Sequence, residues 1–251
     1  MQTSDHTAQH QREQLLKLVA KAFFRELANY GVRPDEVLAV ANHLLDSIVR
    51  SDGGPEQDGL RLQGDLTIGR VEDEWAAQRQ VSLGDIALRP LAPENLQLVV
   101  EWLQQVDVRK SFVPALPKDR ESIVEYFEHV ERDYFGIWHE GRLVGVIGAE
   151  HIDEQHGKLE MKKLVGVDEL RGRGIGTRAT FAFLYHAFMI RGVHKVYIHS
   201  PDTNIRNLNL NSRLGFELEG IFLEEFKAGD RHVDVVRMAL LKPMWLALFS
   251  D

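Results

Sequence analysis

The sequence predicts an α+β fold preceded by a helical appendage. Two observations lead there. From Asp85 onward, short apolar strands alternate with amphipathic helices, and strands pair as hairpins at Glu140-Gly141 and Gly229-Asp230. Before that point, apolar residues recur at helical spacing.

The appendage comes first. Leu15, Leu18, Val19, Ala22, Phe23 and Leu27 form one stripe within residues 11–30, and Gly31 fits its end. Pro34-Asp35-Glu36 opens a second helix, since proline suits a first turn and acids suit its positive end. Residues 51–59 (SDGGPEQDG) read as a linker. Residues 60–81 give a short strand or hairpin and then a short helix. Residues 1–83 thus form an N-terminal helical region of unassigned role, and its apolar stripes need a neighbour: the following domain, a second copy or a partner protein.

Residues 84–251 form the main domain. A strand at 86–91 leads to helices at 93–105 and 120–132, separated by a loop at 107–118. Strands follow at 134–139, 142–152 and 158–167. A glycine-rich turn then opens a helix at 177–191. A strand at 194–200, a short helix at 204–214 and strands at 216–227 and 232–241 complete the domain.

Composition limits the functions open to this domain. The chain of 251 residues carries a net charge of −8, which speaks against a general nucleic-acid binder and suits a cationic substrate. It contains no cysteine, so disulfides, thiolate metal sites and cysteine nucleophiles are ruled out. No apolar run reaches the ~18 residues of a membrane span, and the first twelve residues lack a signal-peptide core. No metal site and no membrane are expected, and a cytoplasmic location is the default.

The sharpest local feature is Arg171-Gly172-Arg173-Gly174-Ile175-Gly176-Thr177. It follows an apolar strand and opens a helix, so its amides and the helix dipole can meet a phosphate. Neither a Walker A lysine nor the Rossmann glycine spacing is present. Asn204 lies beyond the next strand, and Gly215-Phe216 ends the next helix.

Taken together, these segments resemble the GCN5-related N-acetyltransferase (GNAT) superfamily. Residues 171–176 are similar to its acetyl-CoA pyrophosphate loop, and Asn204 with Gly215-Phe216 to its N-(x)n-G-F segment. Gly215-Phe216-Glu217-Leu218-Glu219-Gly220, followed by Gly229 and Asp234-Val235-Val236-Arg237-Met238, resembles the RimJ/RimL-like branch. Leu88-Arg89-Pro90-Leu91 and Val100-Glu101-Trp102 add to the likeness, which covers about residues 84–242.

The resemblance implies a GNAT fold, a mixed and mainly antiparallel sheet flanked by helices. It implies acetyl-CoA as co-substrate and N-acetylation of a primary amine by direct transfer in a ternary complex. Arg171, Gly172, Arg173, Gly174, Ile175, Gly176, Thr177 and Asn204 would hold the cofactor. Backbone in Leu164, Val165, Gly166 and Val167 would stabilise the oxyanion, with Gly166 marking a bulge. Glu160 is the candidate base, set against a reading in which Lys158 or Lys162 merely neutralises it. Glu150, His151 and Asp153 come next. Many family members place a tyrosine seven residues after the asparagine, where this chain has Asn211, which leaves the general acid open and casts Asn211 as a hydrogen-bond partner for sulfur. Trp102, Arg109, Lys110, Phe112 and Trp138, with residues 224–231, are candidates for acceptor recognition. The expected acceptor is a small molecule such as an amino sugar, aminoglycoside or polyamine. The alternatives are protein N-terminal or lysine acetylation and a non-catalytic acyl-CoA sensor.

Overall fold

In the computed structural model, the described residues are 66–78, 80–105, 119–201, 204–228 and 230–250, with Arg33 alone before them. The N-terminal helices and the loop at 107–118, with Arg109, Lys110 and Phe112, lie outside them. Contacts divide the chain into Met1–Arg61 and Leu62–Asp251.

The second unit is built on one eight-stranded sheet. Its strands are β1 (Val81–Leu83), β2 (Ile86–Pro90), β3 (Asp133–His139), β4 (Arg142–Asp153), β5 (Lys158–Val165), β6 (Lys195–Pro201), β7 (Glu217–Ala228) and β8 (Arg231–Leu241). The order is β1-β2-β3-β4-β5-β6-β8-β7. Every pairing is antiparallel except β5 with β6. The described helices are α1 (Ile68–Gln78), α2 (Leu96–Gln104), α3 (Arg120–Glu128), α4 (Ile175–Tyr185), α5 (Ile205–Arg213) and α6 (Lys242–Phe249). This is the mixed, mainly antiparallel sheet flanked by helices that the sequence predicts.

Side-chain alternation assigns the two faces of the sheet. Tyr134 turns toward α3, its ring 4.8 Å from Phe127. Gly148 and Lys162 share its register row. Phe135 turns the other way and meets Phe183 of α4 at 6.4 Å. Glu150 and Glu160 are cross-strand neighbours and lie on the α3 face, while Lys163 lies on the α4 face. The core gathers on the α4 face around Phe181, Phe183, Phe188 and Trp245, all fully buried.

Three differences from the sequence reading have clear causes. Residues 66–83, read with the N-terminal region, belong to the sheet unit: β1 pairs with β2, and Leu66, Val71, Val81 and Leu83 are buried in its core. Periodicity in so short a strand is too weak to reveal this. Helix α4 starts two residues earlier and ends at Tyr185, where one π-helical stretch, His186–Ile190, follows. Helix α6 was missed because its eight residues are apolar nearly all round, so no stripe marks it.

Candidate active site

The parallel junction of β5 and β6 sets the site. The two strands pair only at Lys158–Glu160 with Lys195–Tyr197. Beyond that, β5 runs on to Val165 and β6 to Pro201, so their facing edges separate into a gap. The glycine-rich turn stands at the far end of β5, and Glu160 stands at the apex.

At the turn, Gly172 and Gly174 have φ of +85° and +77°, a region that favours glycine. Gly174 caps α4 without a side-chain hydrogen bond. The first amides of α4 therefore have neither an intrahelical carbonyl nor a side-chain acceptor, and they suit an anion. Arg173 is exposed. Ile175 is buried in the core, and Gly176 and Thr177 lie on the first turn, half-buried. Arg171 is less free than its sequence position suggests: its Nε donates to Val165 O at 3.0 Å and its Nη1 pairs with Asp168 at 2.6 Å.

Residues 164–167 divide their amides between β4 and the gap. The N–H of Gly166 donates to Val144 O at 2.9 Å, and that of Val167 donates to the same oxygen at 3.4 Å. Ladder alternation then turns the Leu164 amide toward β4 and the Val165 and Lys163 amides toward the gap. The close approach at Gly166 is to a side chain of α2. A Cβ on Gly166 would sit 2.0 Å from the Trp102 ring, so glycine is needed there for α2 to pack.

At the apex, Glu160 is 1% exposed. His151 Nδ1 lies 2.7 Å from its Oε2, His199 Nδ1 lies 3.0 Å from its Oε1, and Lys162 pairs with Oε1 as well. Burial alone would raise the Glu160 carboxyl, but the His199 hydrogen bond and the Lys162 ammonium outweigh it and hold it at about 2. Glu160 is thus a fixed anion, and an acid that strong is a poor proton acceptor at neutral pH. The neutralising partner is Lys162, while Lys158 pairs with Asp153 at 3.6 Å. His151 sits at an irregularity in β4 with φ of +47°, strained for a residue with a Cβ, and its side chain is 70% exposed. His199 is 22% exposed at the side chain and meets the Phe222 ring edge-on at 5.4 Å. Sequence reasoning missed His199, since nothing in the order of β6 tells which face it takes.

The other candidates serve structure. Glu150 accepts hydrogen bonds from Tyr134, at 2.5 Å, and from Tyr126. Asp153 accepts from His156 N at 2.9 Å. Asn204 caps α5, accepting from Asn207 N at 3.3 Å. Asn211 is fully buried, and its Nδ2 donates to Asn207 O at 2.8 Å and Asn207 Oδ1 at 3.1 Å. Both contacts hold its side-chain amide against the preceding turn of α5. Trp102 is buried, and Arg89 stacks on Trp138 at 4.7 Å.

The acetyltransferase (GNAT) domain model matches residues 85–217, more than half of the chain. The chain belongs to the GNAT acetyltransferase family. It is accordingly an acyltransferase. Its sequence is 24% identical over 173 residues to spermidine N(1)-acetyltransferase of Escherichia coli K12, covering 66% of this chain and 91% of that protein. It is 27% identical over 171 residues to the Vibrio cholerae enzyme of the same name, covering 61% and 97%. It is 26% identical to the putative ribosomal N-acetyltransferase YdaF of Bacillus subtilis, covering 64% and 93%. The solved structure of V. cholerae spermidine N-acetyltransferase with CoA and spermine superposes with a TM-score of 0.60 at 24% identity, over 65% of this chain and 99% of that one. Among the described residues, no helix is long and apolar enough to cross a membrane, and no group of three or more acidic, histidine or cysteine side chains could hold a metal.

Proposed function

We propose that this GNAT domain transfers the acetyl group of acetyl-CoA to a primary amine of a small polyamine-like cation. The observation that carries this reading is the gap between β5 and β6. It runs from an uncapped helix N-terminus that suits a pyrophosphate to a carboxylate, Glu160, that holds two imidazoles at the apex. The net charge of −8 and the two spermidine-acetylating relatives support a cationic acceptor. The C-terminal motif keeps the RimJ/RimL-like branch as the nearest assignment, in line with the YdaF likeness.

In this reading the turn residues Arg171 to Thr177 grip the pyrophosphate, and Asn204 shapes the floor by capping α5. The Val165 amide faces the thioester oxygen. The amine must lose a proton before attack, because its pKa near ~10 keeps it charged at pH 7. Glu160 orients the two imidazoles that touch it, and His199 or His151 accepts the proton. A bound carboxylate fixes an imidazole's tautomer, so Glu160 acts through its partners. With no cysteine in the chain, an acyl-cysteine intermediate is excluded and direct transfer in a ternary complex follows. The N-terminal region, residues 1–83, is assigned to contact with a second copy or a partner protein.

The test is mass analysis of products from acetyl-CoA with spermidine, spermine, amino sugars, aminoglycosides and short peptides. A gain of about 42 Da, one acetyl group in place of one hydrogen, on the polyamines supports the reading. Acetylation confined to peptides would shift it to a protein acceptor.

A further inference from the structure

Lys163, a half-buried titratable residue of β5, is left unused by the proposed reaction. It leaves β5 on the α4 face, opposite the Glu160 cluster. Its Nζ donates to Thr180 Oγ1 at 2.8 Å and to Asn211 Oδ1 at 3.4 Å. Thr180 in turn donates to Gly176 O at 2.7 Å, so its hydroxyl hydrogen is committed and its lone pair is what Lys163 meets. Asn211 belongs to α5, the helix after β6, so this contact spans the gap from one diverging strand to the helix beyond the other. Lys163 lies in the stretch of β5 beyond its pairing with β6, two residues before Val165.

Among the described residues no acidic side chain pairs with it. Thr180 from α4 and Asn211 from α5 are neutral, and Ile147 is its partner on β4. Of the charged groups on the packed elements, Arg178 of α4 pairs with Asp85 at 3.3 Å, Arg171 with Asp168, and His199 of β6 and Lys162 of β5 with Glu160 on the other face. Burial is the sole cause acting on Lys163, and it lowers the ammonium from 10.5 to about 7. Residue 163 as a whole is half-buried.

We infer that Lys163 is the general acid that protonates the departing CoA thiolate. This rests on the acetyl-CoA reading above. When the amine attacks the carbonyl, the carbon–sulfur bond breaks and its electron pair goes to sulfur. One proton moves from the Lys163 ammonium to that sulfur, which leaves neutral Lys163 and free CoA thiol. The proton lost by the amine at the histidine side returns through solvent, and a proton from water recharges Lys163. An acid near pH 7 is matched to a thiol with a pKa of ~8.5, and proton transfer from a positioned group contributes ~10²–10⁴-fold.

The experiment uses the full chain, acetyl-CoA and spermidine, comparing wild type with Lys163→Met and Lys163→Arg. Acetyl-CoA affinity is measured separately by calorimetry. Lys163→Met should lower kcat by ~10²-fold or more with acetyl-CoA affinity changed less than threefold. Wild-type kcat should fall as pH rises through about 7, and that limb should be absent in Lys163→Arg, whose charge does not titrate. The inference is overturned if Lys163→Met keeps kcat within threefold, if the loss is matched by an equal loss of acetyl-CoA affinity, or if both variants keep the wild-type alkaline limb. A wild-type protein that binds acetyl-CoA but acetylates no amine overturns the underlying reading as well, which separates the two failures.

Discussion

Glu160→Gln removes the charge of a buried carboxylate and leaves its shape. Three cationic or potentially cationic side chains converge on it: His151 at 2.7 Å, His199 at 3.0 Å and Lys162. The fall of its carboxyl from 4.5 to about 2 corresponds to ~3 kcal/mol of folding stability at pH 7. Loss of one member of a buried pair, with Lys162 left uncompensated, independently gives ~3–5 kcal/mol. The sign follows from the direction of the shift. A carboxyl held below its unfolded value stabilises the fold fully above about pH 4.5, and that stability is lost as pH falls toward 2. Wild type and Glu160→Gln should therefore differ by ~3 kcal/mol at pH 7 in urea unfolding, or ~6–12 °C in Tm, and converge as pH drops below 4.5. Turnover should fall with acetyl-CoA affinity retained. A difference under ~1 kcal/mol at pH 7, or one unchanged between pH 7 and 3, would refute the buried-anion argument.

Three further expectations follow from named contacts. Gly166→Ala places a Cβ 2.0 Å from the Trp102 ring, and overpacking of this kind costs ~1–3 kcal/mol or more, read as a lower urea midpoint. Gly174→Glu meets nothing within 4 Å, so the protein should fold, with a cost of ~1 kcal/mol for its positive φ, while acetyl-CoA affinity measured by calorimetry falls at least ~10-fold. Asp119→Ala removes the cap of α3, a bond to Ser122 N of 2.8 Å, and should cost ~1 kcal/mol with turnover unchanged.

Much of the fold was legible because it rests on local signals. The hairpins at Glu140-Gly141 and at residues 228–231 are turn chemistry, and β7 and β8 lie within a residue or so of where alternation put them. The turn at Arg171–Thr177 was legible for the same reason, since glycines between an apolar strand and a helix have few other uses. The site's inner workings were not legible, because they depend on which face a residue takes and what lies across the sheet. Glu160 looks like any acid in a strand until His151 and His199 arrive from β4 and β6. Gly166 reads as a bulge, and only the packing of α2 shows the Trp102 ring over it. Lys163 gave no signal at all: one residue along, Lys162 has the same identity and takes the opposite face and an opposite fate. The α1–β1 segment was hidden by its length, since three strand residues carry no usable period.

The most direct test of the account is the rate of CoA thiol release from acetyl-CoA with spermidine, compared between wild type and Gly174→Glu. The chain contributes no thiol of its own, so the signal is free of background. Wild type should show amine-dependent release that saturates in both substrates, and the variant should lose it through acetyl-CoA affinity. Tight acetyl-CoA binding without release on any primary amine, or equal release by both proteins, would contradict it.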